Sequence, residues 1–254
     1  MEDWEKATNK FIEKWKKDPK VMGITICGSY ITGNPTKNSD IDIRITFSDN
    51  IDYRERGNQI VDGYLMEYMA NPISREYKYF EEEYENRGKS TAHMFSTGRV
   101  IYDKTGQIKK LVQEAKKWNK KKFKKASKAY INDKCYFLWD NYDNLEEVYD
   151  RGLEDFYFVY YNFLNDIFEF YSAYLGHHNA RINKNLRLLK NKKDQVKYDI
   201  DPLPDDKFTK LFYDSLKIKE DKAKMMKSYK KLNDYVLDKM GFNGIDGWKV
   251  RGKL

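Results

Sequence analysis

The sequence contains little that would support a disulfide-stabilised or membrane-spanning structure. Only two cysteines, Cys27 and Cys135, occur among 254 residues, and they form no CxxC pair. This scarcity excludes a disulfide framework and a cysteine-based zinc site, and it favours a reducing, cytoplasmic location. The apolar runs stay far below the roughly 18–20 residues that a membrane span needs, so we expect no membrane partner.

Positive charge is scarce in the first part of the chain and abundant in the second. Residues 1–106 hold 16 Lys and Arg against 18 Asp and Glu, whereas residues 107–254 hold 32 against 22. The whole net charge of +8 therefore belongs to the second part. This asymmetry indicates an anionic partner for the basic part, or else only a lysine-rich composition.

The hydrophobic pattern changes near residue 106. Before it, the pattern predicts helices over 2–17 and 74–87 and strands over 21–27, 41–47, 60–70 and 99–103. After it, the pattern predicts helices over 107–150, 153–175, 178–191 and 205–240. We therefore predict an α+β fold, in which a small mixed β-sheet domain with flanking helices (1–106) precedes an all-helical bundle domain (107–254).

A glycine- and serine-containing segment, Gly28 to Gly33, follows the first predicted strand. Gly28 permits a sharp turn that leaves its backbone N–H open to a ligand, and Ser29 adds a hydroxyl donor. A helix that began directly after the turn would point its free N–H groups at the same place. The segment is not a Walker A loop, because Asn34 and Pro35 stand where Lys and Ser or Thr are needed. It therefore predicts a phosphate-binding turn of another kind.

Two carboxylates follow on the next predicted strand. Asp40 and Asp42 are two residues apart, so their side chains project from the same face. Like charges about 4 Å apart repel by roughly 1–4 kcal/mol, so such a pair usually has a cation between its members. Oxygen ligands suit Mg²⁺ or Mn²⁺. A phosphate-binding turn beside a magnesium carboxylate pair is suited to phosphoryl or nucleotidyl transfer.

These motifs carry a family resemblance. Gly28-Ser29, Gly33, and Ser39-Asp40-Ile41-Asp42 are together similar to the signature of the DNA polymerase beta-like nucleotidyltransferase superfamily. The sequence resembles most its small bacterial branch of antibiotic and minimal nucleotidyltransferases. The resemblance covers about residues 20–105.

The resemblance implies a third carboxylate on a later strand, for which Asp62 and Glu67 are the candidates. Asp62 precedes Gly63 and is explained as a turn residue. Glu67 lies between apolar neighbours, where an unpaired charge would be costly to bury and a metal would offset the cost. We therefore favour Glu67; the alternative is that Glu67 forms a salt bridge with Arg44.

The resemblance also implies the role of each residue. Asp40 and Asp42 would bind two Mg²⁺ or Mn²⁺ ions, and Glu67 would complete the ion that activates the acceptor hydroxyl. Gly28 and Ser29 would hold the β- and γ-phosphates of the nucleoside triphosphate. Lys37 or Arg44 would add positive charge there, although both also suit a solvated or salt-bridged position.

The second part of the chain offers candidates for the acceptor side. A polar stripe, Asn162, then Asn165 or Asp166, then Glu169, interrupts an aromatic helix, and Asp166 or Glu169 is a candidate general base. The helix is otherwise typical of a buried core, and the stripe could equally be its solvated side. Residues 109–128 hold ten lysines and one acid, which suits RNA binding or a solvated helix.

Three functions remain open at this point. The leading hypothesis is a nucleotidyltransferase (EC 2.7.7 type) that moves AMP from ATP to a hydroxyl of a small polar acceptor, such as an antibiotic, and thereby confers resistance. The second keeps the chemistry and replaces the acceptor with a macromolecule, either tRNA or a partner protein in a toxin–antitoxin pair. The third is a non-catalytic nucleotide-binding module.

Overall fold

The computed structural model describes residues 2–178 and 189–250. It divides into two compact units, one running to Lys121 and including Lys197–Asp199, the other comprising Lys122–Val196 and the residues from Ile200 onward. The sequence places the boundary near residue 106 instead. The difference arises from a single helix, which is described below.

The first unit contains a five-stranded sheet and five helices among the described residues. In chain order the elements are α1 (Asp3–Lys17), β1 (Val21–Cys27), α2 (Ser29–Thr32), β2 (Ile41–Phe47), β3 (Glu55–Val61), β4 (Tyr64–Pro72), α3 (Ile73–Glu85), α4 (Ser90–Thr97), β5 (Arg99–Asp103) and α5 (Gln107–Lys120).

The sheet is mixed, with strand order β3-β4-β2-β1-β5. Strands β2 and β4 run parallel, and the other neighbouring pairs run antiparallel. The parallel register sets Asp42 opposite Glu67, and the antiparallel register sets Asp42 opposite Cys27. The sheet itself therefore brings the end of β1, the start of β2 and the middle of β4 together.

The two faces of the sheet bury different residues because side chains alternate along each strand. One face carries the isoleucines of β1 and β2 and packs against the apolar side of α1, including Phe11 and Ile12. A separate apolar cluster joins helices α3, α4 and α5 through residues such as Phe80, Phe95 and Leu111. This layering confirms the predicted α+β class.

The predicted strand over 60–70 is a hairpin in the structure. Asp62 and Gly63 have φ angles of 49° and 86°, the positive values that a two-residue type I′ turn requires. The turn reverses the chain and makes β3 an edge strand beside β4. The reversal leaves Glu67 on a strand parallel to β2, which is where a third carboxylate must lie to approach Asp40 and Asp42.

Helix α5 explains the position of the division between the units. Its buried side chains include Ile108, Leu111 and Ala115, and the latter two belong to the α3–α4–α5 cluster. A Cβ on Gly23 of β1 would lie 2.0 Å from Ile108 Cγ1, so Ile108 packs tightly against the strand. This apolar face makes α5 part of the first unit, although its exposed face carries the basic composition of the later residues.

In the described part of the second unit, every secondary-structure element is a helix. Its elements are α6 (Lys128–Asp150), α7 (Phe156–Leu175), α8 (Lys192–Tyr198, which extends into the short segment 197–199 of the first unit), α9 (Asp206–Lys217) and α10 (Lys222–Met240). One apolar core joins α6, α7, α9 and α10, with Tyr160, Phe208 and Tyr229 among its fully buried side chains. The aromatic helix of the sequence, α7, is central to this core.

Two of the long predicted helices are interrupted. Residues 121–127 separate α5 from α6, and residues 218–221 separate α9 from α10. Each new helix begins at a side-chain cap: Ser127 accepts from Tyr130 N at 3.2 Å, and Asp221 accepts from Lys224 N at 2.9 Å. The helix predicted over 178–191 falls mostly on 179–188, which lie outside the described residues. None of the helices described has the length and apolarity of a membrane span.

Candidate active site

Three carboxylates converge where β1, β2 and β4 meet. Asp40 directly precedes β2, Asp42 is its second residue, and Glu67 lies opposite Asp42 on β4. Carboxylate oxygens of the three side chains all lie within 4.8 Å of one another, and each side chain is partly buried. The structure therefore brings together the three acids that the sequence singled out; their catalytic role remains a prediction.

Gly28 is required at this site by the carboxylate of Asp42. A Cβ built on Gly28 would lie 1.9 Å from Asp42 Oδ2, and Gly28 has a φ of +74°. Both the close approach and the positive φ favour glycine. In the turn between β1 and α2, the backbone of Gly28 therefore lies directly against the carboxylate of Asp42.

The helix after this turn is short. Helix α2 spans only Ser29–Thr32, and both Ile31 N and Thr32 N donate to the Gly28 carbonyl, at 3.1 and 3.0 Å. The chain leaves the helix through Gly33 in a left-handed conformation. The predicted helix after the turn is therefore present as a single helical turn beside Ser29, and the role of this turn in phosphate binding remains a prediction.

Two of the three carboxylates, those of Asp40 and Glu67, shift each other's pKa. Burial raises the pKa of Asp40, and the hydrogen bond and negative charge of Glu67 raise it further. The same hydrogen bond from Asp40, followed by one from Arg56, lowers the pKa of Glu67. Of these two acids, Asp40 is therefore the one that binds a proton first as pH falls. A divalent cation would supply positive charge that offsets the repulsion between the carboxylates.

The donor set fits a hard divalent cation. Three carboxylates supply oxygen ligands, which Mg²⁺ and Mn²⁺ prefer. The arrangement also holds Asp42 against a backbone turn where only glycine fits, so the carboxylate is oriented in advance. Asp40, Asp42 and Glu67 are thus the residues that would hold metal.

The two basic residues that the sequence proposed for phosphate binding differ sharply in environment. Lys37 is exposed in the loop before β2. Arg44 is buried, with 8% of its surface exposed, and its guanidinium lies 3.8 Å from a carboxylate oxygen of Glu76. It also donates to the sulfur atoms of Met69 and Met94. Arg44 is therefore placed as the partner of a buried acid on α3.

Glu76 completes a small polar network beneath the sheet. It is fully buried, accepts from Asn71 Nδ2 at 2.9 Å and faces Arg44. Burial raises the pKa of Glu76, and the positive charge of Arg44 opposes that rise. The network joins β2, β4 and α3 and supports the strands that carry Asp42 and Glu67.

The sequence did not point to Arg56, which lies beside the carboxylates. It is on the edge strand β3 and forms a salt bridge with Glu67. The alternative expectation, a salt bridge from Glu67 to Arg44, is replaced in the structure by this one. The signal that would have found Arg56 is the Asp62-Gly63 turn, because a hairpin there puts residues 55–61 beside Glu67.

The three residues predicted for the acceptor side lie on α7 in the second unit. Asn162 is exposed, and its amide donates to Phe158 O at 3.0 Å. Asp166 is partly buried and accepts from Asn141 Nδ2 at 3.0 Å. Burial raises the pKa of Asp166, and the bond from Asn141 opposes that rise. Glu169 is partly buried on the same helix, and the role of the three in acceptor binding remains a prediction.

The comparisons with known proteins agree with this geometry. Residues 9–107 match the family described as Polymerase beta, Nucleotidyltransferase. Among solved structures, the chain is similar to a nucleotidyltransferase-like protein from Exiguobacterium sibiricum 255-15, with a TM-score of 0.51 and 12% identity over 93% of this chain and 75% of that one. No curated protein matches the chain at a significant level.

The family match spans the whole sheet, from α1 to the start of α5, and includes all three carboxylates. The match over residues 9–107 supports the DNA polymerase beta-like nucleotidyltransferase superfamily for this domain. The similarity to the Exiguobacterium protein supports the fold alone, because only 12% of the residues are identical.

Proposed function

We propose that the chain transfers a nucleoside monophosphate, AMP from ATP, to a hydroxyl group of a small polar acceptor such as an antibiotic. The observation that carries the proposal is the convergence of three carboxylates within 4.8 Å beside the Gly28 turn. In the reaction, the acceptor oxygen forms a bond to the α-phosphorus and the bond from that phosphorus to pyrophosphate breaks. The hydroxyl proton is lost to a base, for which Asp166 and Glu169 are the candidates on α7.

Each residue of the first unit has a distinct task in this proposal. Asp40 and Asp42 would hold two Mg²⁺ ions, and Glu67 would complete the ligands of the ion on the acceptor side. The bound ions would lower the pKa of the acceptor hydroxyl and neutralise the triphosphate. Gly28 N–H and the Ser29 hydroxyl bind the β- and γ-phosphates, and exposed Lys37 adds positive charge. We do not include Arg44, because its guanidinium is buried beside Glu76.

The proposal is tested with labelled nucleotides and one substitution. ATP, CTP, GTP and UTP are incubated with Mg²⁺, the protein and a panel of hydroxyl-bearing antibiotics, and pyrophosphate release is measured. We expect release with ATP and an acceptor. Asp42→Asn should lower turnover by more than about a hundredfold, the scale on which removal of charge stabilisation acts.

The same variant distinguishes catalysis from structure. Asp42→Asn removes a negative charge close to two others, so its Tm should equal or exceed that of the wild type in the absence of metal. Unchanged turnover would remove the two-metal mechanism. A large fall in Tm would mean instead that Asp42 has a structural role, and the catalytic assignment would have to be withdrawn.

A macromolecular acceptor is favoured by one observation, the basic surface around α5. Lysines at nine positions from 109 to 125 are exposed, and the only acid in this segment is Glu114. Phosphodiester backbones bind such lysine-rich surfaces, whereas a cationic drug would be repelled by them. Assays with total tRNA in place of the antibiotic panel distinguish the two acceptors, because the label from the nucleotide is transferred only to the molecule that is the acceptor.

A further inference from the structure

Arg56 provides a positive charge at the carboxylate cluster in the metal-free protein. It lies on edge strand β3 with its Cα opposite that of Met69, one diagonal step from Glu67 on β4. The guanidinium reaches across this diagonal and forms a salt bridge with Glu67 Oε1. Alternation along β3 directs Arg56 to the same face as the three acids.

The ion pair is exposed on the arginine side only. The side chain of Arg56 is 67% exposed, whereas that of Glu67 is 28% exposed. An exposed arginine on an edge strand can turn into solvent with little loss of packing, and pairs of this kind contribute little net stability. Glu67, in contrast, is held by its strand, where its Cα lies opposite that of Asp42 on β2.

A divalent cation and Arg56 compete for the same carboxylate. An ion bound by Asp40, Asp42 and Glu67 would place two further positive charges close to the guanidinium, and the cations would repel each other. We propose that Arg56 is the counter-ion of Glu67 in the metal-free protein, that it releases Glu67 when a divalent cation binds, and that it thereby weakens metal binding at this ligand. This inference rests on the proposed function, since it requires the carboxylates to bind metal.

The test measures metal binding directly, without nucleotide and without turnover. Binding of Mn²⁺ to the full chain is followed by water-proton relaxation for the wild type and for Arg56→Gln. Because the guanidinium of Arg56 is largely exposed, we expect Arg56→Gln to lower the Kd for Mn²⁺ about two- to fivefold. The difference should shrink between about 0.05 M and about 0.5 M NaCl, because salt screens exposed charges.

Two matched variants distinguish an effect of the Arg56–Glu67 contact on the Kd for Mn²⁺ from an effect of net charge. Arg54→Gln removes the same charge two residues away, where the guanidinium donates to Tyr79 OH at 3.0 Å. It should leave the Kd within about 1.5-fold of the wild type, because its charge is more distant and screened. Arg56→Lys keeps the charge and should remain near the wild-type value. Arg56→Ala removes the charge and should lower the Kd as Arg56→Gln does, which gives a second readout should Arg56→Gln fold poorly.

The outcomes are distinguishable from failure of the proposed function. If Asp42→Asn loses Mn²⁺ binding but the Kd of Arg56→Gln equals or exceeds that of the wild type, Arg56 does not compete with the cation for Glu67. The proposed metal site would still be supported in that case. An equal gain in Arg54→Gln and Arg56→Gln also overturns the proposal, because only net charge would then matter. If Asp42→Asn binds Mn²⁺ as tightly as the wild type, both the metal site and this inference are overturned.

Discussion

At the scale of single residues, the most constrained position of the site is a glycine. Gly28 combines a φ of +74° with a carboxylate oxygen 1.9 Å from where a Cβ would stand. A side chain there cannot be accommodated unless Asp42 moves. The consequence of a substitution at Gly28 is therefore both a loss of stability and a displaced metal ligand.

Gly28→Ala should lower both the free energy of unfolding and the activity. The backbone of Gly28, at φ 74° and ψ −158°, lies in a region essentially confined to glycine and costs another residue roughly 1–3 kcal/mol, and the overlap with Asp42 adds to it. Gly63→Ala is the matched control, because Gly63 has a φ of +86° but open space around its Cβ position. Urea denaturation should show Gly28→Ala to be the less stable of the two, and Mn²⁺ binding should be weakened only in Gly28→Ala. Equal losses in both variants would mean that the contact with Asp42 has no effect.

The residues of the site differ in how far the sequence predicted them. The spacing of Asp40 and Asp42 on an alternating strand was sufficient to place them on one face, and Glu67 followed from the neighbours that surround it. Arg56 was missed because β3 is an exposed edge strand, Glu55–Val61, with one buried residue and no apolar alternation. Arg44 was considered as a partner of Glu67 or of phosphate, but its partner Glu76 lies on another element, and sequence alone does not show such long-range pairs.

At the scale of elements, one side chain joins three helices of the second unit. Asp205 caps α9 by accepting from Phe208 N at 2.9 Å. It also accepts from Tyr171 OH of α7 at 2.5 Å and from Tyr235 OH of α10 at 2.9 Å. Partial burial would raise the pKa of Asp205, but these three hydrogen bonds outweigh it and lower the pKa below its ordinary value of 3.8.

Asp205→Asn should therefore destabilise the protein in a pH-dependent way. Because the folded-state pKa is lowered, the ionised carboxylate contributes stability above the unfolded pKa, and this contribution is lost as pH falls through the folded pKa. At neutral pH we expect Asp205→Asn to lower the free energy of unfolding by about 1–2 kcal/mol, typical of a cap with charged hydrogen bonds. The difference in free energy of unfolding between the wild type and the variant should narrow below pH 3.8.

Urea denaturation of the wild type and Asp205→Asn across the acid range tests this expectation. Asp206→Asn is the control: Asp206 is exposed in the first turn of the same helix, so its loss should cost less than about 0.5 kcal/mol. If the free energies of unfolding of Asp205→Asn and the wild type differ by the same amount from neutral to strongly acidic pH, the charge of Asp205 contributes nothing to stability.

The helix boundaries show where element prediction reaches its limit. The break at 121–127 contains neither Pro nor Gly, so periodicity continues through it, and only Ser127 marks the start of α6. The hairpin turn was visible as Asp62-Gly63 but was interpreted as an isolated turn residue. In both places the local signal was present, and the missing information was which of two adjacent segments would find a packing partner.

At the scale of the whole molecule, positive charge is concentrated rather than spread. The net charge is +8, yet residues 1–106 carry more acids than bases. The exposed side of α5 carries Lys109, Lys110, Lys116 and Lys120, whereas Glu114 is the helix's only acid. Helix α1 also carries exposed lysines, but they alternate with acids, and Lys6 and Lys10 pair with Asp3 and Asp62. The two helices therefore have similar lysine content and very different local fields.

This contrast predicts which lysines determine binding to a polyanion. The variant with glutamine at positions 109, 110, 116 and 120 should elute from heparin at clearly lower salt than the wild type. Each lysine removed from an anion contact reduces the number of counter-ions that binding releases, and this weakens binding. The control variant, with glutamine at positions 6, 10, 14 and 17 of α1, loses the same total charge and should shift less. Elution of both variants at the same salt concentration would show that net charge alone governs binding. In that case the surface of α5 would give no support to an RNA acceptor, and the small polar acceptor would be the remaining substrate for the carboxylate site.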